Sequence, residues 1–140
     1  MEDLWPKDIS SETKLKAPVT ILKEQGPLLG EKTKNIVFGV AARDRETVPD
    51  SFCYSFLILA KAIGYSYQLF RTCHKIVFYP VKFTMVDDDI LKELAIVSKH
   101  SLVSAKNEEE FKNLLNKIFN TEKTKRIISA ILAQSEAVIH

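Results

Sequence analysis

The stretch from Ser51 to Val86 sets the limits on what this chain can become. It contains all four tyrosines, five of the eight phenylalanines and both cysteines, and not one Asp or Glu. Aromatic and β-branched side chains at this density suit a pleated, half-buried surface. The turn residues that punctuate the stretch divide it into three consecutive strands. Its basic residues, Lys61, Arg71, Lys75 and Lys82, have no acid among them. The segments before and after it each carry one more acidic than basic side chain, so the net charge of +2 comes from this predicted sheet. Such a surface suits an anionic or aromatic-seeking partner.

At 140 residues the chain fits one domain with a sizeable core. An apolar content of 46 % and a charged content of 27 % are those of a soluble globular protein. The four glycines argue against a propeller or a glycine-rich phosphate cradle. A charge of +2 is small for a non-specific DNA binder. Two cysteines are too few for a disulfide framework. Cys53 and Cys73 fall on adjacent predicted strands, where a bridge is sterically conceivable, but two buried thiols are the expected state. Residues 1–16 show no apolar core of a secretory signal, and no apolar run approaches the length of a membrane span. A cytoplasmic setting without a membrane is therefore expected.

Residues 1–16 read as a flexible arm whose Leu4, Trp5 and Ile9 cover an edge of the core; residues 17–140 read as a single domain. Pro18 suits a first helical turn, and Ile21, Leu22, Leu28 and Leu29 continue at helical spacing. Gly26-Pro27 predicts a kink or two short helices, with Gly30 as a stop. A first strand is expected over Asn35–Arg43, with Ile36, Phe38 and Val40 on one face. A second follows over Ser51–Lys61, a third over Tyr65–Cys73 after a turn at Gly64, and a fourth over Ile76–Val86. Short connections make these antiparallel neighbours. Pro80 marks an edge or a bulge in the fourth. The second and fourth strands are apolar on both sides, so either helices cover both faces or one face meets another chain.

The last third is helical. Asp87–Asp89 supply a cap and favourable charge for a helix through Val97, and Leu102-Val103 suggests a short strand. Asn107 with Glu110 resembles a capping box. Phe111, Leu114, Leu115, Ile118 and Phe119 then follow on one helical face. Thr121 caps a last helix with Ile127, Ile128, Ile131, Leu132 and Val138 as its buried stripe.

Catalytic signatures are missing: there is no P-loop, dinucleotide fingerprint, nucleophile elbow or HExxH. Cys73 and His74 are adjacent on a strand and point to opposite faces. A metal site would need more ligands than Cys53 and His100 add. Asp87–Asp89 and Glu108–Glu110 are explained by helix N-termini. The sharper candidate is the third strand, where Tyr65, Tyr67, Leu69 and Arg71 alternate onto one face. Tyr65, Tyr67 and Arg71, with Lys75, Tyr79 and Lys82, form the expected binding set, for a protein or for single-stranded nucleic acid stacked on the rings.

The segments PVTILKEQGPLLGEKTKN (18–35), YSYQLFRTCHKIVFYPV (65–81) and EEEFKNLLNKIFNTEKTKRIISAILAQS (108–135) together resemble a family of small bacterial hypothetical proteins. The resemblance spans most of the chain. It implies a bacterial origin and one compact α+β domain, and it carries no activity, cofactor or catalytic residue.

The expected fold is α+β: a four- to five-stranded, mainly antiparallel meander with one N-terminal helix and three C-terminal helices packed on it. The expected function is non-enzymatic, with no cofactor or metal: a bacterial interaction protein of the immunity, antitoxin or defence-associated kind that binds another protein. Homodimerisation through the second sheet face belongs to that expectation. Single-stranded nucleic acid is the alternative partner. A small enzyme using Cys53, Cys73 or His74 is the third reading.

Overall fold

The computed structural model describes residues 1–9, 15–44, 49–94 and 103–139. It is an α+β protein: α1 (Pro18–Lys32), β1 (Phe38–Asp44), β2 (Phe52–Ala60), a 3-10 turn (Lys61–Ile63), β3 (Tyr65–His74), β4 (Val81–Thr84), α2 (Asp88–Glu93), β5 (Val103–Ala105), α3 (Glu108–Phe119) and α4 (Glu122–Ile139). The strands form one open sheet in the order β1-β2-β3-β4-β5, every pair antiparallel. The expected meander is therefore present.

Directly opposed residues in antiparallel strands share a face, so the register sorts the side chains. Phe56, Ile58, Leu69, Phe70, Val81, Phe83, Val103 and Ala105 are buried in a cluster with Ile21 and Leu22 of α1, Ile90 of α2, Phe111, Leu115 and Ile118 of α3, and Ile131 of α4. All four described helices thus stack on one side of the sheet. Among the described residues no helix lies on the other side.

Several boundaries differ from the sequence expectation. α1 is one continuous helix through Pro27. Pro27 and Lys23 are both on the exposed side, where water can meet the carbonyl that the ring leaves unbonded. Gly30 is no stop. The helix ends at Thr33, whose buried hydroxyl donates to the Leu29 and Val37 carbonyls and accepts the Val37 N–H at 3.1 Å. Lys34 and Asn35 then turn through positive φ, so β1 starts only at Phe38. β4 is shorter than expected, because Pro80 cannot join a ladder and stands before the strand. Ile76 and Val77 are consequently exposed in the β3–β4 loop.

The helix starts follow their capping residues. Asp87 accepts the N–H groups of Asp89 and Ile90. Asn107 accepts that of Glu110 at 2.8 Å, while the Glu110 carboxylate returns to Lys106, one residue before the cap. Thr121 accepts the Thr124 N–H. α2 ends at Glu93 with Leu94 as its C-cap, short of the expected Val97; residues 95–102, His100 among them, lie outside the described residues. On α4 the buried positions are Thr124, Ile131 and Ser135, and Val138 is exposed rather than part of the stripe.

Candidate functional site

The uncovered side of the sheet is built by alternate residues of each strand. The pairs Val40–Leu57, Ala42–Ser55 and Asp44–Cys53 place these residues together. Ser55–Arg71 and Cys53–Cys73 extend the face across β3, and Arg71–Thr84, Cys73–Lys82 and Lys82–Ser104 carry it across β4 to β5. Val40 is exposed, and Leu57 and Leu59 are half-buried with no described helix over them.

Polar groups on this face are organised around Arg71. Its guanidinium reaches across β2 to the Asp44 carboxylate at 2.8 Å and donates through Nε to the Thr84 hydroxyl at 3.1 Å. The pair joins the edge strand β1 to the interior strand β3. Lys82 is exposed on the same face and forms no ion pair among the described residues.

Cys53 and Cys73 are bonded to each other. The expectation of two reduced thiols is therefore replaced by a bridge. The register explains it: the two residues are directly opposed, with Cα atoms 4.2 Å apart, and both sulfurs rise on the uncovered side. In this state neither sulfur offers a thiolate to chemistry. His74 points the other way. It is buried against the Phe52 and Tyr54 rings, and its Nδ1 donates to the Lys75 carbonyl at 2.6 Å.

The six expected binding residues do not form one surface. Phe56 pairs with Phe70 but Leu57 pairs with Gln68, so Leu69 is an extra residue in β3. Beyond this bulge the alternation is shifted by one. Tyr65 and Tyr67 oppose Ala60 and Ile58 on the helix side, while Arg71 stands on the uncovered side. The tyrosine–arginine face read from the sequence is thereby split. Tyr65 and Tyr67 instead line a depression of about 460 Å³ with Ile63 and the α4 residues Ile127, Ile131 and Gln134. Burial, then the neighbouring Asp87 carboxylate, raises the Tyr67 pKa. Tyr79 lies edge-on to Phe111, and its buried hydroxyl has no hydrogen-bond partner among the described residues. Burial, then Glu108, raises its pKa too. Lys75 is exposed in the β3–β4 loop. Only Arg71 and Lys82 of the set share the uncovered face.

Sequence reading missed the partners that hold this face, Asp44 and Thr84, and the Cys53–Cys73 bridge. Only the cysteine positions on adjacent strands gave a signal. Among the described residues no three His, Cys, Asp or Glu side chains are grouped to hold a metal, and no helix is long and apolar enough to cross a membrane. No family model, curated protein or solved structure matches the chain.

Proposed function

We propose that the protein works by binding another protein on the uncovered sheet face, without catalysis of its own. The observation that carries this reading is the one-sided stacking of the described helices, none of which covers Val40, Leu57 and Leu59. Antiparallel sheets tolerate a solvated face, but such a face normally alternates to polar residues. Here the apolar strip occupies one end of the face and Lys82 the other, while the Arg71 charge is already met by Asp44. The complementary partner presents apolar side chains flanked by a carboxylate for Lys82.

An immunity, antitoxin or defence-associated module of a bacterium fits this description, as does self-association through the same face. The bacterial setting rests on the sequence resemblance alone. The Cys53–Cys73 bridge weighs against a cytoplasmic setting, because disulfides persist chiefly in oxidising compartments. The protein-binding reading is preferred to nucleic acid because the tyrosines and Arg71 lie on opposite sides of the sheet.

The test compares the native protein with a Leu57→Glu variant. Partners that co-purify are identified by mass spectrometry, and binding of the purified partner is then measured. The reading expects Leu57→Glu to abolish binding while circular dichroism stays native. Unchanged affinity in the folded variant refutes it.

A further inference from the structure

A groove runs between α1 and the α3–α4 pair, on the side of the sheet opposite the face just described. One part, about 370 Å³, has Phe56, Ile58 and Leu69 as its floor and Leu28, Leu29, Phe119 and Ile128 as its walls. A second part, about 380 Å³, continues past Gln25, Asn116 and Phe119 to Lys16. Protein interiors leave few gaps of this size, and water is a poor occupant over a floor of Phe, Ile and Leu.

Lys16 is also where the preceding segment departs. Its ammonium bonds both Glu24 oxygens, at 3.0 and 3.1 Å, which pins the chain to the rim of the groove. Before it come Leu4, Trp5, Ile9 and Leu15, exposed at 84, 72, 58 and 76 %. None of them lines the groove of its own chain. Among the described residues the groove thus has no occupant and the apolar segment no groove. Charge agrees: Glu2 and Asp3 directly precede Leu4 and Trp5. At the rim, Lys32 has no ion-pair partner among the described residues.

We propose that the Leu4–Trp5 segment of one molecule docks in the α1–α3–α4 groove of a second copy. Reciprocal exchange fills both grooves and closes a twofold dimer, as in domain-swapped assemblies. Trp5 is the anchor, since a large rigid ring buried in a pocket contributes most to an interface. This interface is separate from the uncovered sheet face, so each can fail alone.

Trp5 is the only tryptophan, so its fluorescence reports the docking directly. The experiment follows emission wavelength and acrylamide quenching against protein concentration, with mass from light scattering. The expected result is a blue shift and shielding that grow with concentration as the mass doubles. Trp5→Ala and Leu28→Glu should each weaken the dimer by about tenfold or more, with native circular dichroism, and Leu57→Glu should leave it intact. An emission typical of water at every concentration overturns the proposal. So does a blue shift that is independent of concentration in a monomer, which assigns the segment to its own groove. A dimer that survives both Trp5→Ala and Leu28→Glu overturns it as well.

Discussion

Gly26 of α1 rests directly against the carbonyl group of Gly39 in β1, with no side chain between helix and strand. A Cβ at position 26 would overlap the Gly39 oxygen, and one at position 39 would meet the Phe56 ring and the Gly26 Cα. This backbone contact sets how closely α1 lies on the sheet. Gly26→Ala should therefore destabilise the fold by about 1–3 kcal/mol through overpacking. That exceeds the ~1 kcal/mol alanine would gain in helix propensity. Gly64→Ala is the comparison. Its φ of +56° strains a methyl-bearing residue, but nothing lies within 4 Å, so about 1 kcal/mol is expected. Urea midpoints measure both, and a neutral Gly26→Ala would show that α1 can shift.

The Cys53–Cys73 bridge ties two strands that are already neighbours, across a sequence separation of 20. Loop-closure entropy for a link of that span is about 3 kcal/mol. Adding reductant to the wild type should lower Tm, and the Cys53→Ser/Cys73→Ser double variant should show the same loss with no response to reductant. Equal Tm with and without reductant in the wild type would mean that the bridge contributes nothing.

How much of this was legible in the sequence follows from what each feature writes into it. The sheet was legible because Phe, Tyr and β-branched residues crowd β2 and β3, and α3 because Phe111, Leu115 and Ile118 recur on one helical face. The bulge at Leu69 was not. It adds one ordinary residue without a glycine or proline to mark it, yet it moves Tyr65 and Tyr67 to the other side of the sheet from where strict alternation puts them. At Pro27 the sequence left a kinked helix or two short helices open, and the second is not what formed. The local preference of proline is to break a helix, and an exposed position with the close Gly26–Gly39 contact overrides that preference. The groove and the uncovered face arise from how elements far apart in sequence stack, and no local pattern encodes that.

Glu93, at the end of α2, caps a different helix. Its carboxylate accepts the N–H of Glu122 at 2.7 Å and of Lys123 at 2.9 Å, at the start of α4. The anion meets two unbonded donors and the positive end of the helix dipole. Glu93→Ala should cost about 1 kcal/mol, and Glu93→Gln less. Hydrogen exchange at the Glu122 and Lys123 amides should accelerate in Glu93→Ala but not in Lys92→Ala. Unchanged exchange would remove the capping role.

Stability should fall on the alkaline side. The folded protein raises the pKa of Tyr67 and Tyr79, mainly by burial and then by Asp87 and Glu108 respectively. Asp89 raises that of Lys123. A raised folded pKa means that stability is fully present below the unfolded value, about 10 for these groups, and is lost as pH rises through the folded one. Asp89 works oppositely: Lys123 lowers its pKa, so its contribution is lost as pH falls below about 4. Tyr79→Phe should flatten the alkaline slope. At neutral pH it should be neutral or stabilising by up to ~1 kcal/mol, because it deletes a buried hydroxyl that has no partner among the described residues. Denaturant titrations at pH 7 and above pH 10 give both numbers, and a large loss at pH 7 would reveal a partner for that hydroxyl.

Arg71 and Asp44 bridge over β2 while each side chain stays only 22–23 % exposed. Solvent still reaches the pair, so its coupling should resemble that of surface ion pairs, about 0.5–1 kcal/mol. A double-mutant cycle with Arg71→Ala and Asp44→Ala isolates that coupling from the hydrogen bond to Thr84. The pair also decides the electrostatics of the uncovered face. Asp44→Ala leaves the Arg71 charge unmet beside Lys82 and should tighten binding of an acidic partner. Arg71→Ala removes a positive charge from the face and should weaken it. Opposite signs from two substitutions that break the same contact separate partner recognition from a loss of stability, which would weaken binding in both.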